Sequence, residues 1–488
     1  MPKVPFSRRR FLAASAAGAA LAAVPSLAVT SETSPNGRLR LGFIGVGGRA
    51  QSHLDSASEL QLSGQTVEIA SICDVFDRYR DRAVSKVRDR VGYEPKATGD
   101  YRDIINDPKI DAVVIATPDH WHARQTLDAL AAGKHVYCEK PMTHTIDEAL
   151  AVYKAWKESG RVMQVGVQST SLPVWRAINE RIVSGGLGKV LQYQTEFFRN
   201  SDCGQWRYYE LAREMTPKNI DWPMFLGTEF GLAPDMPFDR AVFGQWRCYW
   251  PFGSGMFTDL FVHRTTSMLM ATGFRFPGRV VGAGGIYLEY DGRDVPDVAT
   301  VVADFPEGAQ GLVTATMCCE DTPIKQLIRG HYGSIVLGTG EEFSGYDFVA
   351  ERPQVTHDRS YKNEHVEVGK IEDTSLAHFR NFVDAVRAGD PKVVNCSPEL
   401  GAAAMTIVKL GASSYREGKV YHFDRDTMTY SDGNNGWANK WESMSHTGAK
   451  PMHVSGWHAG DTGSVIAPRP YQQLAGPWID GVDPASNA

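Results

Sequence analysis

From residue 38 to about 167, short apolar runs alternate with stretches whose apolar positions recur every three or four residues. The runs at Leu39–Ile44, Val67–Cys73, 111–116, 135–138 and 162–167 predict strands. Helices are predicted from near Gln51, over 79–91 and 122–132, and over Ile146–Ser159. Such alternation argues for a doubly wound parallel sheet covered on both faces. Past Gln168 the pattern changes. One helix at 174–184 precedes long segments of period-two or β-branched character at 190–198, 279–290, Val298–Phe305, 311–317 and Gly333–Leu337. These predict an α+β domain at 168–425 with a large open, mainly antiparallel sheet, closed by helices Thr374–Ala388 and Pro398–Glu417. An aromatic-rich insertion carrying Trp206, Tyr208, Tyr209, Trp222, Trp246, Tyr249 and Trp250 separates its first two strands. A segment at 426–488 rich in Gly, Asn, Ser and Trp reads as a loop-rich tail, and no internal repeat is read along the chain.

The turn after the first predicted strand is Gly45-Val46-Gly47-Gly48-Arg49-Ala50, running into a helix. This is the strand–turn–helix setting of G-x-G-x-x-A in a Rossmann dinucleotide-binding domain, here 38–167. Gly45 permits the tight turn, Gly47 admits the phosphates, and Ala50 lets helix and strand pack closely. The second strand ends in Asp74. A carboxylate there accepts ribose hydroxyls and repels a 2′-phosphate, so NAD is expected over NADP.

Ligands of a doubly wound sheet lie beyond the carboxyl ends of its strands. Besides Gly45, Gly47, Gly48, Arg49, Ala50 and Asp74, that rule places Thr117, Pro118 and His122, then Glu139 and Lys140, then Gln168 around the cofactor. Lys140, held at an open strand end before Pro141, can hydrogen-bond a substrate hydroxyl and relay its proton. Asp259 and His263 stand at i and i+4, so on a helix the carboxylate would orient the imidazole. His120 and His122 lack a third ligand at suggestive spacing, and no metal is expected.

Composition narrows the class. A hydrophobic content of 42% and a charged content of 22% describe an ordinary globular protein. A net charge of −6 gives no footprint for nucleic acid or an anionic membrane. Seven Cys without C-x-x-C spacing imply free thiols rather than a disulfide framework. Ser7-Arg8-Arg9-Arg10-Phe11-Leu12, an Ala-rich stretch and Ser26-Leu27-Ala28 resemble a twin-arginine export signal over 1–30. Pro25 and the many alanines argue against a stable membrane span. The expected location is periplasmic or otherwise exported through the twin-arginine machinery, with the nucleotide loaded beforehand and retained.

Together the glycine loop, acidic strand end, T-P-x-x-x-H (117–122), E-K-P (139–141), D-x-x-x-H (259–263) and F-x-x-A-x-x-x-G (382–389) resemble the Gfo/Idh/MocA family over nearly all of 38–425. The resemblance implies Lys140, Asp259 and His263 as catalytic residues facing the nicotinamide, a sugar or cyclitol as substrate, and a homo-oligomer, dimer or tetramer. The expected activity is hydride transfer between a ring carbinol carbon and tightly bound NAD. Two alternatives stand beside it: a redox-assisted glycoside hydrolase, and a non-catalytic sugar-binding homologue. Thr266 stands where many dehydrogenases of the family carry Asp, and Ser169-Thr170-Ser171 where exported relatives often place Arg.

Overall fold

The computed structural model describes residues 37–338, 343–352 and 360–447. The export signal read at 1–30 lies outside them, as does the tail beyond 447.

Strands β1 (Leu39–Ile44), β2 (Val67–Cys73), β3 (Lys96–Thr98), β4 (Ala112–Ile115), β5 (His135–Glu139) and β6 (Met163–Gly166) form one sheet in the order β3-β2-β1-β4-β5-β6. Every pairing in it is parallel. Helices α1 (Ala50–Leu62), α2 (Asp77–Val91), α3 (Asp119–Ala131) and α4 (Ile146–Ser159) supply crossovers, as predicted. Ile44 lies opposite both Cys73 and Ile115, so the strand order reverses at β1 and opens a crevice beyond its carboxyl end.

The second sheet has ten strands. They are β7 (Val190–Glu196), β8 (Arg279–Gly285), β9 (Val298–Phe305), β10 (Ala309–Thr316), β11 (Gln326–Gly330), β12 (Gly333–Leu337), β13 (Gly345–Ala350), β14 (Glu364–Glu367), β15 (Tyr421–Asp424) and β16 (Thr429–Asp432). Their order is β14-β13-β12-β11-β7-β10-β9-β8-β15-β16, and all neighbours are antiparallel except β7 with β10. Four of the strands absent from the sequence reading are outermost or next to it. β14 (EHVE) and β16 (TYSD) are short, polar and largely exposed, so no buried face writes a period into them. The segment read as a loop-rich tail thus contributes an edge strand and a helix, Trp437–Thr447.

Helices α5 (Val174–Val183), α6 (Val262–Thr272), α7 (Thr374–Ala388) and α8 (Pro398–Glu417) complete the molecule. The Ser397 hydroxyl caps α8 by accepting from the Leu400 N–H, Pro398 takes its first position, and Gly418 ends it in the left-handed region. Helix α7 departs from chain order. Phe379, Phe382 and Val383 are fully buried in the cluster that also holds Leu54, Ala57 and Tyr137 of the first sheet's layer. Phe379 stacks on His53 at 5.8 Å, and the Gln164 amide donates to His378 O at 2.7 Å. The nucleotide-binding unit is therefore closed by a helix from the far end of the chain. No helix among the described residues is long and apolar enough to cross a membrane.

Candidate active site

A cleft of about 640 Å³ runs along the carboxyl ends of β1, β2, β4 and β5, from Asp74, Tyr79 and Arg82 to Lys140, Asp259 and His263. Its floor is the glycine turn. Gly45 has φ +79°, and a Cβ there would lie 2.7 Å from the Thr117 amide nitrogen, so only glycine fits. No side chain caps the first turn of α1, which leaves that end open to an anion. Asp74 is latched in place, accepting from the Val46 N–H at 2.7 Å and the Phe76 N–H at 2.9 Å. Burial pushes its carboxyl up to about 6. Arg80 donates to Asp74 O at 2.6 Å and pairs with Asp77, and Arg82 donates to Gly47 O at 2.5 Å, so both cations beside Asp74 have partners within the chain. A cradle that excludes a Cβ, an uncapped helix start and an acidic strand end fit a nicotinamide dinucleotide.

The remaining cofactor-side residues divide. Gly47, Gly48, Arg49, Thr117, Pro118, Glu139 and Lys140 line the cleft. Ala50 is buried beneath it, as its packing role requires. Arg49 turns inward, its Nε donating to Glu139 Oε1 at 3.0 Å, while His53 Nε2 meets the same oxygen at 2.7 Å. These neighbours hold the Glu139 carboxyl well below the usual range against burial. His122 does not line the cleft. Its Nδ1 faces Pro141 O at 2.6 Å and its Nε2 faces Thr117 O at 2.8 Å. Both nitrogens must donate, which favours the cation, and its pKa is raised. It clamps two strand-end loops together. Gln168 is likewise absent from the lining, because the chain turns after β6 into a 3₁₀ turn, Gln168–Ser171, whose Ser171 hydroxyl pairs with His378.

At the other end the structure brings Lys140, Asp259 and His263 together. Lys140 Nζ donates to Asp259 Oδ1 at 2.6 Å and to Asp259 O at 3.1 Å. The expected Asp259–His263 hydrogen bond is not made. Residues Phe257–Phe261 form a π-helical turn before α6, and its wider pitch takes the i and i+4 positions off a common face. The His263 ring packs instead 6.0 Å from that of Phe197. Burial, then the Lys140 charge, lower its pKa to about 3, so the imidazole is neutral.

Asp259 is held by Arg247, which the sequence reading did not name, and by Trp206, which it named only among the insertion's aromatics. Arg247 Nε donates to Oδ1 at 3.0 Å and Trp206 Nε1 to Oδ2 at 2.8 Å. Lys140 and Arg247 keep this carboxyl well below the usual range although burial opposes them. The signal lay in the aromatic insertion, where Gly-Gln-Trp-Arg-x-Tyr occurs twice, at 204–209 and 244–249. The two copies interlock. Arg207 Nη1 donates to Gln245 Oε1 at 2.7 Å, and Gln245 Nε2 returns bonds to Arg207 O and Tyr209 O at 3.0 Å each. Each copy then sends one donor to Asp259, from Trp206 and from Arg247. Of the insertion's aromatics, Tyr208, Tyr209 and Trp246 line the cleft, whereas Trp222 is buried against Phe225 in a satellite core.

Asp119, at the first position of α3, also reaches the cleft. It accepts from Thr258 Oγ1 at 3.0 Å, and burial pushes its carboxyl up to about 7 despite Arg247 and Lys140. A raised carboxyl costs stability progressively as pH climbs from 3.8 to about 7, and no further above that. Asp119→Asn is therefore expected to gain stability relative to the parent between about pH 4.5 and about pH 8. Thermal unfolding at both values checks this; equal differences would contradict it.

Two family models match the chain: "Oxidoreductase family, NAD-binding Rossmann fold" over residues 39–167 and "GFO/IDH/MocA C-terminal domain" over 232–336. A levoglucosan dehydrogenase of Pseudarthrobacter phenanthrenivorans is 27% identical over 312 residues, covering 61% of this chain and 73% of that one. An alpha-N-acetylgalactosaminidase of Shewanella oneidensis is 38% identical over 114 residues, 22% of this chain and 24% of its own. Among solved structures, levoglucosan dehydrogenase in complex with NADH and levoglucosan superposes with a TM-score of 0.58 at 22% identity, over 81% of this chain and 99% of that one. With its paired sheets, nucleotide cradle and these matches, the chain is an NAD-binding oxidoreductase built on the Gfo/Idh/MocA fold.

Proposed function

We propose that the protein moves a hydride between a ring carbinol carbon of a sugar or cyclitol and NAD retained through turnover. The convergence of Lys140, Asp259 and His263 on one end of the nucleotide cleft carries this reading. Bound NAD supplies the hydride acceptor in oxidation and, once reduced, the donor in the return direction. The chain's own residues manage the proton. Lys140, oriented by Asp259, donates to the substrate oxygen and stabilises it as its O–H bond weakens. His263, kept neutral, accepts the hydroxyl proton. Tyr208, Tyr209 and Trp246 offer faces for the apolar side of a sugar ring. The dehydrogenase relative supports a carbohydrate substrate. The test is spectroscopic. Sugar added to purified protein is expected to raise the near-ultraviolet band of reduced nicotinamide, and protein with no affinity for NAD or NADH would end the reading.

The local likeness to a glycosidase favours one rival, in which the hydride returns to the same sugar after bond cleavage. Release of aryl alcohol from aryl glycosides without added NAD would select it. Export rests on the Ser7–Leu12 pattern, and a reporter fused after residue 30 is expected to reach the periplasm in a manner dependent on Arg8 and Arg9.

A further inference from the structure

The substrate end of the cleft holds more positive charge than the chain itself balances. One carboxylate, Asp259, accepts from both Lys140 and Arg247. Glu139 is spent on Arg49 and His53. Arg199 adds a further cation. Its guanidinium lies over the Phe197 ring at 4.9 Å, the same ring that packs against His263. Among the described residues that guanidinium makes no hydrogen bond or ion pair, and its Nε is buried without a partner. Arg247 is stacked on Trp246 at 4.2 Å and flanked by Tyr209 at 5.3 Å. With Nε given to Asp259, its two terminal nitrogens have no hydrogen-bond partner among the described residues. The Tyr208 phenol is within electrostatic reach of Asp259 and of both guanidinium groups. Two carboxylates of the cleft do not offset this excess. Glu210 acts on Tyr79, beside Asp74 at the opposite end, and Asp119 accepts from Thr258, with burial pushing its carboxyl up to about 7.

Planar donor forks left unspent in a partly buried cleft are costly unless an oxyanion completes them. We propose that the carbohydrate substrate bears an anionic group, a carboxylate, phosphate or sulfate, bound by Arg199 and Arg247 beside the reacting carbon. This inference deepens the oxidoreductase reading and rests on it.

The experiment compares glucose and galactose with glucuronate, galacturonate, glucose 6-phosphate and glucose 6-sulfate, using the NAD-loaded full chain and the nicotinamide band as readout. At least one anionic sugar is expected to exceed its neutral parent by roughly 10-fold or more in kcat/KM, and the identity of that sugar tells carboxylate from phosphate or sulfate. In Arg199→Ala that advantage is expected to fall by roughly 10- to 100-fold, carried mainly by KM, with Arg199→Lys recovering part of it. Neutral sugars used as well as their acids would overturn the proposal while leaving the oxidoreductase reading intact. Equal losses in Arg199→Ala for neutral and anionic sugars would overturn it too. If the protein fails to bind NAD or NADH, the oxidoreductase reading itself fails and takes the anion site with it.

Discussion

Lys140→Met is expected to lower kcat for sugar oxidation by roughly 10²- to 10³-fold, the usual worth of a positioned donor to an oxygen that gains negative charge. The side chain keeps its length and loses its charge and donors. Asp259 still has Arg247 and Trp206, so the carboxylate is not stranded and the fold is expected to hold. NAD affinity should change little, because the glycine turn and Asp74 lie at the other end of the cleft. Single-turnover kinetics on NAD-loaded protein make the measurement. A variant within a few-fold of the parent would remove Lys140 from the mechanism and leave His263 as sole mediator of the proton.

The second large effect is expected at Asp259. Asp259→Asn leaves Lys140 and Arg247 facing one another without a counter-charge in a largely enclosed site. Losing one partner of a buried ion pair typically costs about 3–5 kcal/mol. The pH signature distinguishes this from lost packing. The folded-state carboxyl is depressed below 3.8, so its stabilisation is fully present above that value and fades only as pH falls through the lower, folded one. The stability gap between parent and variant is therefore expected to be level from about pH 5.5 to about pH 8 in denaturant unfolding. It should narrow only in stronger acid. A variant as stable as the parent would mean that the two cations need no carboxylate, and the site would have to be redrawn. Turnover is expected to vanish in either case, because Lys140 loses the group that aims it.

Much of the first domain was legible because burial on both sides of a parallel sheet writes unbroken apolar runs, as in 112–115, and glycine at Gly45 answers a steric demand. The long alternating strands β9 and β10 were legible for the same kind of reason, with one face buried and one half-exposed. Edge strands carried no such signal. At the site, Lys140, Asp259 and His263 could be named from motifs, but their mutual geometry could not. The π-turn that separates Asp259 from His263 is a product of how 253–263 is packed, and spacing alone predicts an ordinary helix there. Arg247 and Trp206 were hidden among many aromatics because a six-residue pattern repeated once is too short to stand out without knowing that both copies meet. Gln168 and His122 were placed by adjacency to strand ends, which says which loops gather but not which side chains turn inward.

The return of α7 to the first layer has a consequence for how the chain matures during synthesis. The surface formed by His53, Leu54, Ala57 and Tyr137 has its cover only once Phe379 and Phe382 have been made. An emerging polypeptide that stops at residue 167 thus presents a sticky aromatic flank and an unfinished anchor for Arg49, whose other partner is Ser375. A gene fragment encoding the amino-terminal half alone is for that reason a poor candidate for soluble expression.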